Sequence, residues 1–167
     1  MTDPTSSEKI SRAFIQSARH FLGNDYLPKI ERCLDRLTDE QVWWRPNDES
    51  NSIGNLLLHL SGNVRQWIVS GLGGESDQRQ RDWEFAQREG ITRAELLGRL
   101  RETLSEVDSV LAQLDVSQML ERREIQGMEV TTLEAVFHVT EHFSMHTGQI
   151  ILITKLLTGK DLKFYDL

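Results

Sequence analysis

Residues 131–158 read TTLEAVFHVTEHFSMHTGQIILITKLLT, and the reading of this stretch decides the fold. It contains no proline, and Gly159 stands just beyond it as a stop. Thr131 or Thr132 supplies an N-cap, with Glu134 in the first turn. The stretch is therefore expected to be one long helix. Set as a heptad with Ala135 at a, position a holds Ala135, His142, Gln149 and Leu156. Position d holds His138, Met145 and Leu152, and position e holds Val139, His146 and Ile153. On this frame one face carries apolar residues and all three histidines towards neighbouring helices.

Working outward, three further segments carry the same period. The first runs from about Thr5 to Leu37, with Ile10, Phe14, Ala18 and Phe21 on one stripe and Ile30, Leu34 and Leu37 on another. Gly23 and Pro28 fall between the stripes and predict a kink. Thr38 then caps a short helix, TDEQVWWRP, closed by Pro46, with Trp43 and Trp44 as a hydrophobic lid on the bundle end. The second long helix spans about Asn51 to Ser70, with Ile53, Leu56, Leu57, Leu60, Val64, Trp67 and Ile68 inward. Thr92 caps a third, to about Leu114, whose leucines alternate steps of three and four. Between the second and third lies the connector ESDQRQRDWEFAQREG, whose charge predicts a solvated loop docked through Trp83 and Phe85. LERREIQGMEVT, about Gly127, reads as a short extended excursion, and no segment reads firmly as a sheet. The expected fold is an all-α four-helix bundle, with a short extra helix after helix 1 and a long connector between helices 2 and 3. A length of 167 residues fits one domain, 1–167, able to bury its own core.

Composition narrows the function classes. The formal net charge is −7, the opposite of the basic stripe a nucleic-acid partner requires. MTDPTSSEKI lacks the basic-then-apolar order of a secretory leader. No apolar run approaches the roughly 20 residues needed to cross a bilayer, so no membrane partner is expected. The single cysteine, Cys33, excludes an intrachain disulfide and points to a reducing, cytoplasmic setting. Beside Leu34 on the first helix, it reads as a small core residue rather than a nucleophile or ligand.

His138, His142 and His146 are successive four-residue steps, each returning the helix by about 40°. Either adjacent pair would aim two imidazoles at one ion, as helical histidine pairs do in zinc sites. Polar groups on a core face are costly unless each finds a partner, so the cluster points to a purpose. A third ligand must come from another helix, where His59 in NLLLHLSGN is the candidate. Three neutral imidazoles would leave a divalent cation open to water or substrate. Asn63, one turn beyond His59, and Gln149, near His146, would suit hydrogen bonding that orients the rings. His20, beside Arg19, reads as surface.

NSIGNLLLHLSGNVRQW, residues 51–67, followed by HFSMHTGQI, residues 142–150, resembles the DinB-like (YfiT-like) metal-binding four-helix bundles. RDWEF, residues 81–85, resembles an uncharacterised branch of that superfamily, and the likeness spans about Ser11 to Leu157. The resemblance implies that His59, His142 and His146 hold zinc or nickel, with His138 outside the ligand set. It also implies, as an expectation, a metal-dependent enzyme acting on a small molecule, with thiol transfer using a low-molecular-weight thiol cosubstrate as one reading. The alternatives are a metal-dependent binding or sensing bundle, a hydrolase, or a structural metal clamp. Against the hydrolase, Phe143 follows His142 where a zincin places Glu. Some relatives pair through an apolar bundle face, which makes a homodimer an expected partner.

Overall fold

Reciprocal capping boxes start every long helix except where two helices run on from one another. Thr5 caps α1 (Ser6–His20), answered by Glu8. Ser52 caps α4 (Ile53–Val64), answered by Asn55. Thr92 and Glu95 open α6 (Arg93–Gln113), and Thr131 and Glu134 open α7 (Thr132–Thr158). In each, the cap side chain accepts the third residue's N–H and that residue's side chain accepts the cap's own N–H. The computed structural model describes residues 5–164. Residues 1–4 and 165–167, the ends of the expected 1–167 domain, lie outside the described residues.

The kink expected at Gly23 and Pro28 takes the form of a π-helical turn. Phe21–Tyr26 carries α1 directly into α2 (Leu27–Leu34). Pro28 stands in the first turn of α2, just beyond the π-helical turn, and its missing N–H leaves one gap in an otherwise continuous helix. Thr38 then caps α3 (Asp39–Val42) as expected. Of the two tryptophans read as a lid, Trp43 packs against Gly54, where a Cβ would stand 2.7 Å from its ring, and donates from Nε1 to the Ile91 carbonyl at 2.9 Å. Trp44 is exposed.

The described chain is predominantly helical, with α1–α2, α4, α6 and α7 forming a four-helix bundle. Helix α4 packs against α6 and α7 and is its central rod. Residues Ile53 to Ser61 are all buried, so α4 has no solvent face there, and a second π-helical turn, Arg65–Ser70, extends it. The connector reading is corrected. Within it, α5 (Arg81–Ala86) folds against α4. Its deepest anchor is Glu84, 4% exposed, while Trp83 is among the exposed aromatics. The extended excursion is a hairpin, β1 (Arg122–Ile125) and β2 (Met128–Thr131), antiparallel with Ile125 opposite Met128.

The heptad frame for α7 needs rotation. The buried residues are Ala135, Val136, Val139, Phe143, His146, Thr147, Ile150 and Thr154, whereas Met145, Leu152 and Leu156 are exposed. Apolar residues on both sides of α7 hid the offset. The rotation leaves His138 and His142 at the margin of the buried face and His146 inside it. Among the described residues, no helix is long and apolar enough to cross a membrane.

Ile150, fully buried but outside the a/d/e frame, tests the rotated face. Ile150→Ala should lower the unfolding free energy by about 2–5 kcal/mol in urea denaturation. Leu120→Ala, at a position 76% exposed, should stay within about 0.5 kcal/mol of the parent.

Candidate metal centre

Helix α4 places His59 at a buried position, and α7 brings His142 and His146 alongside it. The Nε2 atoms of His59 and His146 each lie 3.1 Å from Nε2 of His142. Three ring nitrogens thus converge on one point, from two elements 83 residues apart in sequence. Two imidazole nitrogens bound to one tetrahedral zinc, each at about 2.0–2.1 Å, stand about 3.3 Å apart. The donor set and its spacing fit a divalent cation.

The outer nitrogens hold two of the rings in this pose. His59 Nδ1 lies 3.2 Å from Glu84 Oε2, and His146 Nδ1 lies 2.6 Å from Gln149 Oε1. Each Nδ1–H donates outward, so each Nε2 offers its lone pair inward. Gln149 is thus where the spacing suggested. Asn63 is buried on α4 but makes no hydrogen bond to the histidines among the described residues. The carboxylate on α5 holds the outer nitrogen of His59 instead. Nδ1 of His142 is buried and has no hydrogen-bond partner among the described residues.

Glu84 is itself held. Arg79 donates from Nε to Oε1 at 2.8 Å and from Nη2 to Oε2 at 2.9 Å, and from Nη1 to Gln66 Oε1 at 2.9 Å. Nη2 also stands 3.0 Å from His59 Nδ1, the two donors meeting at the same carboxylate oxygen, Glu84 Oε2. The two side chains are 4% and 5% exposed, a burial tolerated because the pair is bidentate. A Cβ on Gly62 would fall 1.9 Å from Glu84 Oε1, so only glycine admits the carboxylate. Sequence reasoning missed Glu84 and Arg79 because they lie in a charged connector. The available signal was Gly62, an interior helix glycine three residues past a histidine, which marks a close approach.

His138 stands beside the triad rather than within it. Its ring centroid lies 5.3 Å from that of His142 and 4.1 Å from that of Trp67, and Nδ1 is 3.6 Å from Glu141. Phe85 covers the His59 ring at 4.7 Å. Glu134 is the α7 capping partner, and Arg65 pairs with Glu106. Cys33 is fully buried, and burial pushes its thiol up, consistent with a core residue.

Charge is disfavoured on the α7 imidazoles. Burial, with His146, His59, His138 and Arg79 adding repulsion, pushes His142 down to about 3. Burial likewise lowers His146 and His138 below the ordinary histidine value. Burial works to raise the Glu84 carboxyl, but hydrogen bonds from Arg79 and His59 prevail and lower it. The α7 imidazoles are therefore neutral and the Glu84 carboxylate ionised at neutral pH, the forms that bind and orient a cation.

A convergent histidine triad on a four-helix bundle defines a class, and comparison with solved structures agrees on the fold. The chain is similar to a conserved protein from Enterococcus faecalis at 17% identity and a TM-score of 0.74, covering 87% of this chain and 97% of that one. It is also similar to a DinB-like protein from Bacillus cereus at 15% identity and a TM-score of 0.68, covering 87% and 91%. The fold is that of the DinB-like proteins. Within that class the chain belongs to the family described as Protein of unknown function (DUF1572), whose model matches residues 9–166. No curated protein matches the sequence.

Two outcomes test the geometry. Gly62→Ala should displace Glu84 and weaken the docking of α5, seen as faster amide exchange across Arg81–Ala86; unchanged protection there would contradict the close approach. For pH, unfolded imidazoles titrate near about 6.5, while folded His142 stays neutral down to about 3. The unfolded chain binds more protons in that window, so stability is full above it and declines as pH falls below about 6.5. Melting of chelator-treated protein should show this decline, and His142→Gln should flatten it. An equal slope in both proteins would count against a neutral His142.

Proposed function

We propose that His59, His142 and His146 hold one divalent cation, zinc or nickel, and that the chain, acting as a single domain over 1–167, is a metal-dependent enzyme acting on a small molecule. The observation that carries this reading is the convergence of three Nε2 atoms, two of them fixed inward by outer partners. When bound, such a cation supplies Lewis acidity that lowers the pKa of a thiol or water joining it.

The chain's own groups favour a thiol over water as the second reactant. Hydrolysis wants a general base within hydrogen-bond reach of the nucleophile. Glu84 is committed to His59 and Arg79, and among the described residues no carboxylate hydrogen-bonds His142 or His146. A thiol needs less help, because its own pKa lies closer to neutrality. Thiol transfer to an electrophile, with a low-molecular-weight thiol as cosubstrate, is therefore the preferred reaction class. The same lack of a free base supports a second reading, a metal-dependent ligand-binding or sensing bundle without turnover. For the homodimer, a second copy would cover Met145, Leu152 and Leu156 along the exposed side of α7.

Metal analysis of purified protein should find about one zinc or nickel per chain, lost in His59→Ala and in His142→Ala/His146→Ala. Glu84→Gln should retain the fold but lower metal affinity by about 10–100-fold, as loss of an outer carboxylate partner does. Absence of metal after reconstitution with either ion would remove the reading. Stoichiometric metal with no turnover of any thiol–electrophile pair would favour the binding protein.

A further inference from the structure

A second chamber lies on the far side of the Arg79–Glu84 pair. This cavity of about 400 Å³ is bounded by α4, α6 and the connector, and its walls include Leu58, Gly62, Arg79, Trp83, Glu84 and Thr103. His59 is not among the lining residues, although Arg79 and Glu84 touch it. The buried ion pair is therefore a partition between the triad and the cavity. A volume of this size lies within the range that holds small ligands.

The charges of the wall are mostly paired internally. Glu84 is held by Arg79, and Arg65, also in the wall, by Glu106. Asp77 accepts from Gln66 at 2.6 Å and from the Arg79 backbone N–H at 3.0 Å. Arg99 is different. It lines the cavity from α6 with no carboxylate partner among the described residues, its guanidinium 5.5 Å from the centroid of the Trp83 ring. That contact braces the cation while leaving its N–H donors available. One helical turn on, Thr103 is 7% exposed, lines the same cavity and has no hydrogen-bond partner among the described residues. Its hydroxyl is open to a group entering the cavity.

We propose that the cavity binds a small organic monocarboxylate, its carboxylate on Arg99 and Thr103 and its apolar body against Leu58 and Trp83. With Glu84 paired to Arg79 and Arg65 to Glu106, Arg99 is the wall's one guanidinium without a carboxylate partner among the described residues. One such guanidinium suits a monoanion, whereas a phosphate dianion would also meet Asp77, which has no cation of its own among the described residues. The assignment does not rest on the metal reading, because neither Arg99 nor Thr103 touches the histidines.

Benzoate and its neutral counterpart benzamide are the probes, titrated into the full chain and followed by amide and indole resonances in two-dimensional NMR. Benzoate should shift residues 79–84 and 99–103 with a Kd of about 1 mM, and benzamide should bind at least tenfold more weakly. Arg99→Gln and Thr103→Val should each weaken benzoate, the former by tenfold or more. Arg99 is exposed, so its variant should fold, and a native spectrum would establish that. His142→Ala should leave benzoate binding intact, which separates the cavity from capture of a carboxylate by a metal ion. Equal binding of both probes, an unchanged Kd in Arg99→Gln, shifts confined to 138–146, or no shifts at all would each overturn the proposal.

Discussion

The Nε2 atoms of His59 and His146, each 3.1 Å from that of His142, cannot share one point with their lone pairs inward unless each ring is turned there and held. For His59 that requirement propagates through a third of the bundle. The ring's outer nitrogen needs an acceptor, and no neighbour on α4 supplies one, so the acceptor comes from α5. A buried carboxylate needs a cation of its own, hence Arg79 in the segment leading into α5. The carboxylate can approach only because position 62 lacks a side chain. A charged connector, an interior glycine and a buried ion pair are thus successive consequences of one orientation.

The same logic separates the two helices that carry the triad. Helix α4 is buried on every side around His59, so its ring is fixed by a dense polar cluster that excludes water. On α7 the rings lie near the margin of the buried face. His146 is fixed by Gln149, three residues along its own helix, at little cost in packing. His142 has neighbours at Nε2 and none at Nδ1. It is the least constrained ligand candidate of the three.

Much of this was legible in the sequence. The cap residues Thr38, Thr92 and Thr131 and the stop at Gly159 marked the helices because capping depends on local chemistry alone. The spacing offered His59 and either adjacent pair among His138, His142 and His146; the choice of His142 with His146 came from the family resemblance. The face of α7 was not. Leu152, Leu156 and Met145 are as apolar as Val139 and Ile150, and periodicity cannot tell a core stripe from an exposed one when both exist. Arg79 and Glu84 were hidden for the opposite reason. In a run as charged as ESDQRQRDWEF, composition points to solvent, and only tertiary pairing takes two of its charges inside.

That pairing gives the molecule its most informative asymmetry. On one side of the partition stand imidazoles whose burial and mutual repulsion favour the neutral form; on the other lies a cavity with one uncommitted guanidinium. Arg79 joins them rigidly, because its guanidinium is engaged at once with Glu84, with Gln66 and beside His59. A group entering the cavity and drawing Arg79 towards itself would loosen Glu84, and with it the outer hydrogen bond of His59. One that engaged only Arg99 and Thr103 would leave the triad undisturbed. The cavity and the triad therefore share a wall without needing to share a ligand, and any energetic link between them must pass through the Arg79–Glu84 pair.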